Sequence, residues 1–385
     1  MSAPRVALVH DWLDTWRGGE NVLSELVRIY PDAQLFALVD FLTDALRQRL
    51  SGKRATTSFL QRMPGARRYF RALLPLFPQA IESLDVTGFD LVISSSHAVA
   101  KGVRTSPAQL HLCYCHTPMR YAWDLREQYL EARGLAAGLR GHGVRHVLDR
   151  LREWDRAASA RVSHFVANSL FIRDRIARCY GRESTVIYPP VDVDFFTPSD
   201  TAFPPFKRDY YLAASQWVPY KRIDLIVAAF REMPDRRLIV AGDGAEAERI
   251  HAAKGANTEF VGHVSRGQLR DLMRGARAFV FAAEEDFGIL PVEAQACGTP
   301  VIAFGRGGAR ETVRGLDDRR PTGLFFAEQS AAAIAEAVGK FDAACGDVDP
   351  GDCRSNAERF SAQRFRLEFV EFAQRAWREF GVPAR

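Results

Sequence analysis

Residues 6–30 read VALVHDWLDTWRGGENVLSELVRIY. Val6-Ala7-Leu8-Val9 is a short, unbroken apolar run, the pattern of a strand buried on both faces. Gly18-Gly19 follows in a loop, and 20–30 reads as a helix with Val22, Leu23, Leu26, Val27 and Tyr30 along one side. Strand, glycine turn and helix form the repeating unit of a parallel α/β sheet. The unit recurs further along the chain. Leu91-Val92-Ile93 and Phe165-Val166-Ala167 are further buried strands, each ending in small polar residues, Ser94-Ser95-Ser96 and Asn168-Ser169. Polar residues just past buried strands are where open α/β sheets place ligands.

Pro189-Pro190, Pro198, Pro204 and Pro205 cannot sit inside helices or central strands, so a boundary lies near residue 200. Beyond it the alternation restarts. Strands are expected at 210–214, 238–241, 260–261, 278–281 and 300–304, and helices at 222–232, 265–274, around 291–297, 331–340 and 362–380. The expected fold is α/β, with two Rossmann-like domains, 1–197 and 206–361, facing a central cleft, and a terminal helix within 362–385 returning to the first.

Composition narrows the class. With 385 residues, 47% apolar and 26% charged, the chain is neither a disordered tail, a coiled coil nor a collagen. Its net charge of +5 is uneven: residues 1–195 hold 26 Lys and Arg against 20 acids, and the rest 26 against 27. The basic half is almost all arginine, which suits bidentate phosphate contacts. Six scattered cysteines form no C-x-x-C pair, and strand alternation puts Cys113 and Cys115 on one face, away from His116. The opening lacks the apolar stretch of a signal peptide, and no run of about 18 apolar residues occurs, so a reduced cytosolic enzyme is expected.

Three motifs carry chemistry. Gly242-Asp243-Gly244-Ala245-Glu246-Ala247 fits the dinucleotide fingerprint G-x-G-x-x-A and raises the rival reading of an NAD(P)-dependent oxidoreductase. Against that reading, the acidic residue expected after the next strand is missing, since Phe260-Val261 runs into Gly262-His263. Arg17-Gly18-Gly19-Glu20 either lets helix N–H groups approach a phosphate or makes a tight turn. The strongest cluster is Glu285-Asp286-Phe287-Gly288-Ile289-Leu290-Pro291-Val292-Glu293. A loop-to-helix path can aim both glutamates into one site, where carboxylates accept from hydroxyl pairs of sugar and ribose. Gly288 and Ile289 at the helix start offer N–H groups to a diphosphate.

That stretch resembles the E-x7-E motif of retaining glycosyltransferases of family four, which adopt the two-domain GT-B architecture. The likeness extends over nearly the whole chain. Cys115-His116-Thr117-Pro118-Met119-Arg120-Tyr121-Ala122-Trp123-Asp124, residues 186–192 and Val218-Pro219-Tyr220-Lys221-Arg222 are similar to the O-antigen mannosyltransferase branch. The resemblance implies that the first domain binds the acceptor and the second a nucleotide sugar. Lys221 would meet the donor diphosphate, Glu293 the ribose and Glu285 the hexose hydroxyls. The backbone of Phe287, Gly288, Ile289 and Leu290 would lie near sugar and phosphates, His116 near the reacting carbon, and Gly18 and Gly19 over the diphosphate. Gln216 departs from the pattern, which places an arginine five residues before Lys221. A neutral amide supplies no charge, so neutralisation would fall to Lys221 with Arg222 or to an arginine of the first domain.

The family's picture is front-side attack with retention, the leaving diphosphate taking the acceptor's proton, with no cofactor. No Asp-x-Asp site sits beside a donor strand, so no metal is expected. The donor carried from the branch is GDP-mannose, with a GDP-deoxyhexose or UDP-hexose as alternative, and the acceptor is a lipid-linked saccharide of cell-surface polysaccharide synthesis. A non-catalytic sugar-nucleotide-binding protein is the reading outside enzymes.

Residues 61–78 carry Arg62, Arg67, Arg68 and Arg71, no acid, and Tyr69, Phe70, Leu73, Leu74, Leu76 and Phe77. This is either a segment for an anionic membrane surface at the inner face of the cell membrane or a solvated basic helix packing its leucines inward. Residues 125–161 hold eight arginines interleaved with five acids, the pattern of a solvated helical hairpin. No RNP-like string supports nucleic-acid binding, and the second half is slightly acidic.

Overall fold

In the computed structural model, which describes residues 4–124, 126–132, 138–199 and 209–381, the chain forms two α/β units. One comprises Met1–Pro189 with Phe365–Arg385, the other Pro190–Arg364.

In the first unit, β1 (Val6–His10), β2 (Gln34–Ala37), β3 (Thr56–Thr57), β4 (Leu91–Ser96), β5 (Leu110–Cys115), β6 (His164–Ala167) and β7 (Ser184–Val186) form a sheet. Their order is β3-β2-β1-β4-β5-β6-β7, with every neighbouring pair parallel. In the second, β8 (Tyr210–Ala214), β9 (Arg237–Ala241), β10 (Thr258–Gly262), β11 (Ala278–Phe281), β12 (Val301–Phe304) and β13 (Gly323–Phe326) run in the order β10-β9-β8-β11-β12-β13. These pairs are also all parallel. Each order reverses once, between β1 and β4 and between β8 and β11. Beyond the carboxyl ends of those strands lies the ligand position of a doubly wound sheet.

The apolar run of β1 now has its reason. Leu8 packs with Val22, Leu23 and Leu26 of the helix Gly18–Ile29, while Ala7 and Val9 pack on the other face with Phe36, Phe70 and Phe77. Both faces are covered, so alternation is lost, and each buried Val or Leu contributes roughly 1.5–3 kcal/mol. The helix Ala362–Phe380 places Phe365, Phe369, Phe372, Ala373 and Ala376 in the layer that holds Leu8, along one helical stripe. Its Arg366 pairs with Glu25 at 2.5 Å, so the chain's last helix belongs to the first unit's core. Cys113 and Cys115 pack together on one face of β5, and Tyr114 points to the other, where its hydroxyl donates to the Ile187 carbonyl at 2.9 Å.

Several expectations need correction. Gly18 and Gly19 are not in a loop but form the first turn of their helix, because the Glu20 carboxylate accepts from the Arg17 N–H at 2.7 Å and closes that end. Ser94-Ser95-Ser96 lie within β4, buried, not past it. Their hydroxyls are satisfied there: Ser94 Oγ lies 2.9 Å from His111 Nε2. Residues 190–197, assigned by sequence to the first domain, pack with the second unit. The Val191 N–H donates to the Phe360 carbonyl at 2.9 Å, and Arg354 donates to the carbonyls of Val193 and Phe196 at 2.6 and 2.9 Å. The residues of the expected hairpin form helices Arg126–Ala132 and Gly138–Ser159, while Leu125 and 133–137 lie outside the described residues, as do Pro204 and Pro205.

Candidate functional site

In the second unit, the loop after β8 and the loop after β11 meet at the switch point. The first ends in the short turn Pro219–Lys221, with Arg222 at φ 54°. The second carries Glu285. The Lys221 ammonium and the Glu285 carboxylate form an ion pair, each side chain about one-sixth exposed (15% and 16%). Gly288 then opens the helix Ile289–Ala296 from the left-handed region, φ 86°, and no side chain caps that end. Phe287 is buried with its ring against Phe360, 5.4 Å between centroids, and Gly288 beside it is buried too.

Two glycine pairs allow these loops to come so close. A Cβ on Gly307 would lie 2.4 Å from the Glu285 carbonyl, and one on Gly308 2.3 Å from Phe287 Cα. The Gly308 N–H donates to that same Glu285 carbonyl at 2.8 Å. The Gly242–Ala247 stretch serves the same purpose beside β8. A Cβ on Gly242 would meet the Ser215 carbonyl at 1.8 Å and one on Gly244 the Trp217 carbonyl at 2.4 Å, while the Trp217 N–H donates to Asp243 at 2.8 Å. These glycines are explained by backbone approach, which removes the support they lent to a dinucleotide cofactor.

Glu293 sits inside the helix Ile289–Ala296, 9% exposed, and among the described residues nothing bonds its carboxyl group. Burial pushes its pKa up to about 8; the Arg266 charge pulls it down in part and Asp192 raises it further. It is therefore largely protonated at neutral pH. Gln216 is exposed on the loop before Lys221. The Arg222 guanidinium lies 3.3 Å from Asp224, which also pairs with Arg249 at 2.9 Å, so Arg222 is already engaged.

In the first unit the register of β1 on β4 sets His10 opposite Ser95, and β5 ends beside Ser96. Ser95 Oγ lies 3.2 Å from His10 Nδ1 and 2.9 Å from His116 Nε2. Gly19 rests over both rings, its absent Cβ 3.5 Å from His10 and 3.6 Å from His116. Gly19 and His116, given separate roles by sequence, thus lie side by side within one unit. Burial, helped by the neighbouring charges of His97 and His10, lowers His116 to about 3, so it is a neutral imidazole.

Sequence reasoning missed the groups that hold this corner. Asp11, fully buried, accepts from the N–H groups of His97, Ala98, Val99 and Ala100 at 2.6–3.1 Å and from His97 Nδ1 at 2.9 Å. Burial alone would raise the Asp11 pKa, but the His97 charge and bond hold it well below the usual range, and Asp11 in turn raises His97. Lys101 is buried against Asp155, which also accepts from Trp123 at 2.8 Å and Tyr180 at 2.7 Å. One signal was available: His10-Asp11 is a polar pair at the carboxyl end of the first strand.

The arginine segment divides. Phe70 and Phe77 are buried and Leu73 and Leu74 pack partly on the core, as the inward-packing alternative expects for these residues. Arg62, Arg67 and Arg68 are exposed, beside Tyr69 (56% exposed) and Leu76 (37%), and Arg71 pairs with Asp14. No helix among the described residues is long and apolar enough to cross a membrane.

Two parallel α/β units with loops gathered at each switch point define the GT-B type of two-domain protein, and solved structures agree. Anabaena HepE in complex with UDP and glucose superposes at TM-score 0.70, 18% identical, over 96% of this chain and 99% of that one. Sucrose-phosphate synthase from Thermosynechococcus elongatus does so at 0.73, 17% identical, over 98% and 100%. At such identities the likeness establishes the fold. Residues 16–195 match the model of Glycosyltransferase Family 4 and residues 201–342 that of Glycosyl transferases group 1. The chain therefore carries two glycosyltransferase domains in tandem.

Among curated proteins, glycogen synthase of Mycobacterium tuberculosis is 34% identical over 115 residues, 28% of this chain and 27% of that protein. A GDP-mannose-dependent monoacylated alpha-(1-6)-phosphatidylinositol monomannoside mannosyltransferase of Corynebacterium glutamicum is 34% identical over 91 residues, 21% and 24%. The aligned stretches thus span about a quarter of each relative (27% and 24%).

Proposed function

We propose that this protein is a retaining glycosyltransferase that moves a hexose from a nucleoside-diphosphate sugar to a lipid-linked saccharide, with GDP-mannose the favoured donor. The observation that carries this reading is the second unit's pairing of Lys221 with Glu285 beside the uncapped helix start at Gly288, with the unbonded carboxyl of Glu293 on that helix. Lys221 and the backbone N–H groups from Gly288 onward would stabilise the charge that develops on the leaving diphosphate. Freed from Lys221, Glu285 would accept from hydroxyls of the hexose. Glu293 would accept from the ribose and ionise as it does so.

The mannosyltransferase among the relatives favours GDP-mannose, and HepE, solved with UDP and glucose, favours a UDP-hexose as the second reading. A GDP-deoxyhexose remains the third. The exposed arginines at 62, 67 and 68, with Tyr69 and Leu76, support docking at an anionic lipid surface where such an acceptor resides. Incubation with a panel of GDP- and UDP-sugars and a lipid-linked saccharide extract tests the reading, the product anomer being assigned by NMR. Transfer with retained configuration from one donor class is expected. Inverted product, or turnover of NAD(P)H and of no sugar nucleotide, would overturn it.

A further inference from the structure

Ser95 cannot donate to both of its imidazole neighbours. Its hydroxyl has one proton and two lone pairs, so it donates to at most one ring. Which bond runs which way is decided at the far end of the row, by Glu20. Its Oε2 accepts the Arg17 N–H at 2.7 Å, and its Oε1 stands 3.6 Å from His10 Nε2. That separation is too long for a formed hydrogen bond, but His10 Nε2 is buried and no other described group bonds it. A lone pair on Nε2 would face a carboxylate oxygen across that gap, so the proton belongs on Nε2. The rest follows in order. His10 Nδ1, 3.2 Å from Ser95 Oγ, accepts the hydroxyl proton; Ser95 Oγ, 2.9 Å from His116 Nε2, then accepts from an Nε2–H.

We infer that Glu20, His10 and Ser95 are positioning residues that fix His116 in the Nε2–H tautomer, leaving Nδ1 with its lone pair. Among the described residues nothing bonds that Nδ1. The inference deepens the transferase reading and rests on it for its consequence: at this corner His116 offers a sugar hydroxyl an acceptor and not a donor, and a sugar carboxylate reaching it would meet lone pair against lone pair. The row thereby selects neutral hexoses over uronic acids. Other charged groups face the same corner: His97 with its Asp11 contributes to the field at His116, and Arg120 to that at His97.

The chain has nine histidines, so selective 15N-histidine labelling with a His116→Gln variant for assignment reads the tautomer directly. In mildly alkaline buffer, His116 Nε2 is expected in the protonated range and Nδ1 in the unprotonated one. Glu20→Gln is the discriminating variant. Its amide oxygen keeps the Arg17 bond while its NH2 turns toward His10 Nε2, which reverses every bond of the row. His116 should then invert to Nδ1–H, while GDP affinity stays unchanged and turnover falls about tenfold, the worth of one hydrogen bond to the reacting sugar. Ser95→Ala should leave a mixture of tautomers. An Nδ1–H signal in the parent, or an unchanged Nε2–H signal in Glu20→Gln, would overturn the inference. The NMR result needs no substrate. Inversion in a protein that turns over no sugar nucleotide would uphold the row and remove the transferase reading instead.

Discussion

Around β1 and β4 the polar groups of the first unit already bond one another, whereas around β8 and β11 the second unit keeps a carboxyl group that bonds nothing described. Asp11 takes four backbone N–H groups and an imidazole, and Lys101 is closed against Asp155. Glu293, as buried as many core residues, has no such partner and holds its proton up to about pH 8. A buried polar group without a bond is costly unless something else supplies one. Asp11 and Lys101 close the corner of the first unit with their own partners, whereas on the proposed function the hydroxyls of a ligand would complete Glu293.

The contrast has a sign in pH. Burial lowers His111 and His116 to about 3, and Asp11 and Glu20 are held low by their imidazole partners against the opposing effect of burial. The unfolded chain takes up protons on these groups first, so their contribution to stability is lost as pH falls, from about 6.5 for the histidines and about 4 for the carboxylates. His97, raised by Asp11, works against this loss. Glu293 behaves oppositely: the folded state keeps a proton that the unfolded state releases above about 4.5, so stability drains away as pH rises toward about 8. Replacing it with Gln should stabilise the protein above about pH 8, with little change near pH 5.

The largest effect should come from breaking the finished side. Asp11→Asn cannot accept at both oxygens and leaves His97 without its anion, so denaturant unfolding should show a loss of about 3–5 kcal/mol. Next is the ion pair of the second unit. Lys221→Met should reduce turnover by about 10²–10³ with the fold intact in circular dichroism. Glu285→Ala should also reduce turnover sharply yet spare GDP affinity. If GDP affinity collapses while the saturated rate survives, the two glutamates have exchanged roles. A smaller change is expected for Glu293→Gln, about 1–2 kcal/mol of GDP affinity once the parent carboxyl is ionised, and less near pH 6. Parent affinity should climb with pH toward about 8 and that of the variant should not. The smallest effect lies on the surface: each exposed arginine should contribute about 1 kcal/mol to binding anionic vesicles, weakened by salt. Replacing Arg67, Arg68 and Arg71 with Gln should release the protein into the supernatant while activity on a soluble acceptor persists. Equal, salt-insensitive recovery of parent and variant would remove the lipid surface alone.

Legibility followed the same division. The strand-helix order and the last helix, Ala362–Phe380, were readable because apolar periodicity and the absence of breakers are local properties. Glu285, Lys221 and Glu293 stood out because they lie in long, specific strings, and the structure pairs the first two and buries the third. The row from Glu20 to His116 was not. It depends on β-sheet register, His10 opposite Ser95, between residues 85 positions apart, which no local pattern encodes. Ser94-Ser95-Ser96 misled for a related reason: polarity suggested a strand end, while histidines on β1 and β5 and beside β5 satisfy two of those hydroxyls inside the sheet. The Gly242–Ala247 stretch shows that a phosphate-binding pattern can instead serve close backbone approach.

On the proposed function, the second unit holds a nucleotide through Glu293, which gives up its proton on binding. Calorimetric titration of GDP and of UDP near neutral pH, repeated in buffers of different ionisation enthalpy, counts that proton. The parent should release close to one proton per nucleotide bound, Glu285→Ala should do the same with similar affinity, and Glu293→Gln should bind more weakly and release none. Binding by the parent without proton release, or a proton count and affinity unchanged in Glu293→Gln, would contradict the account.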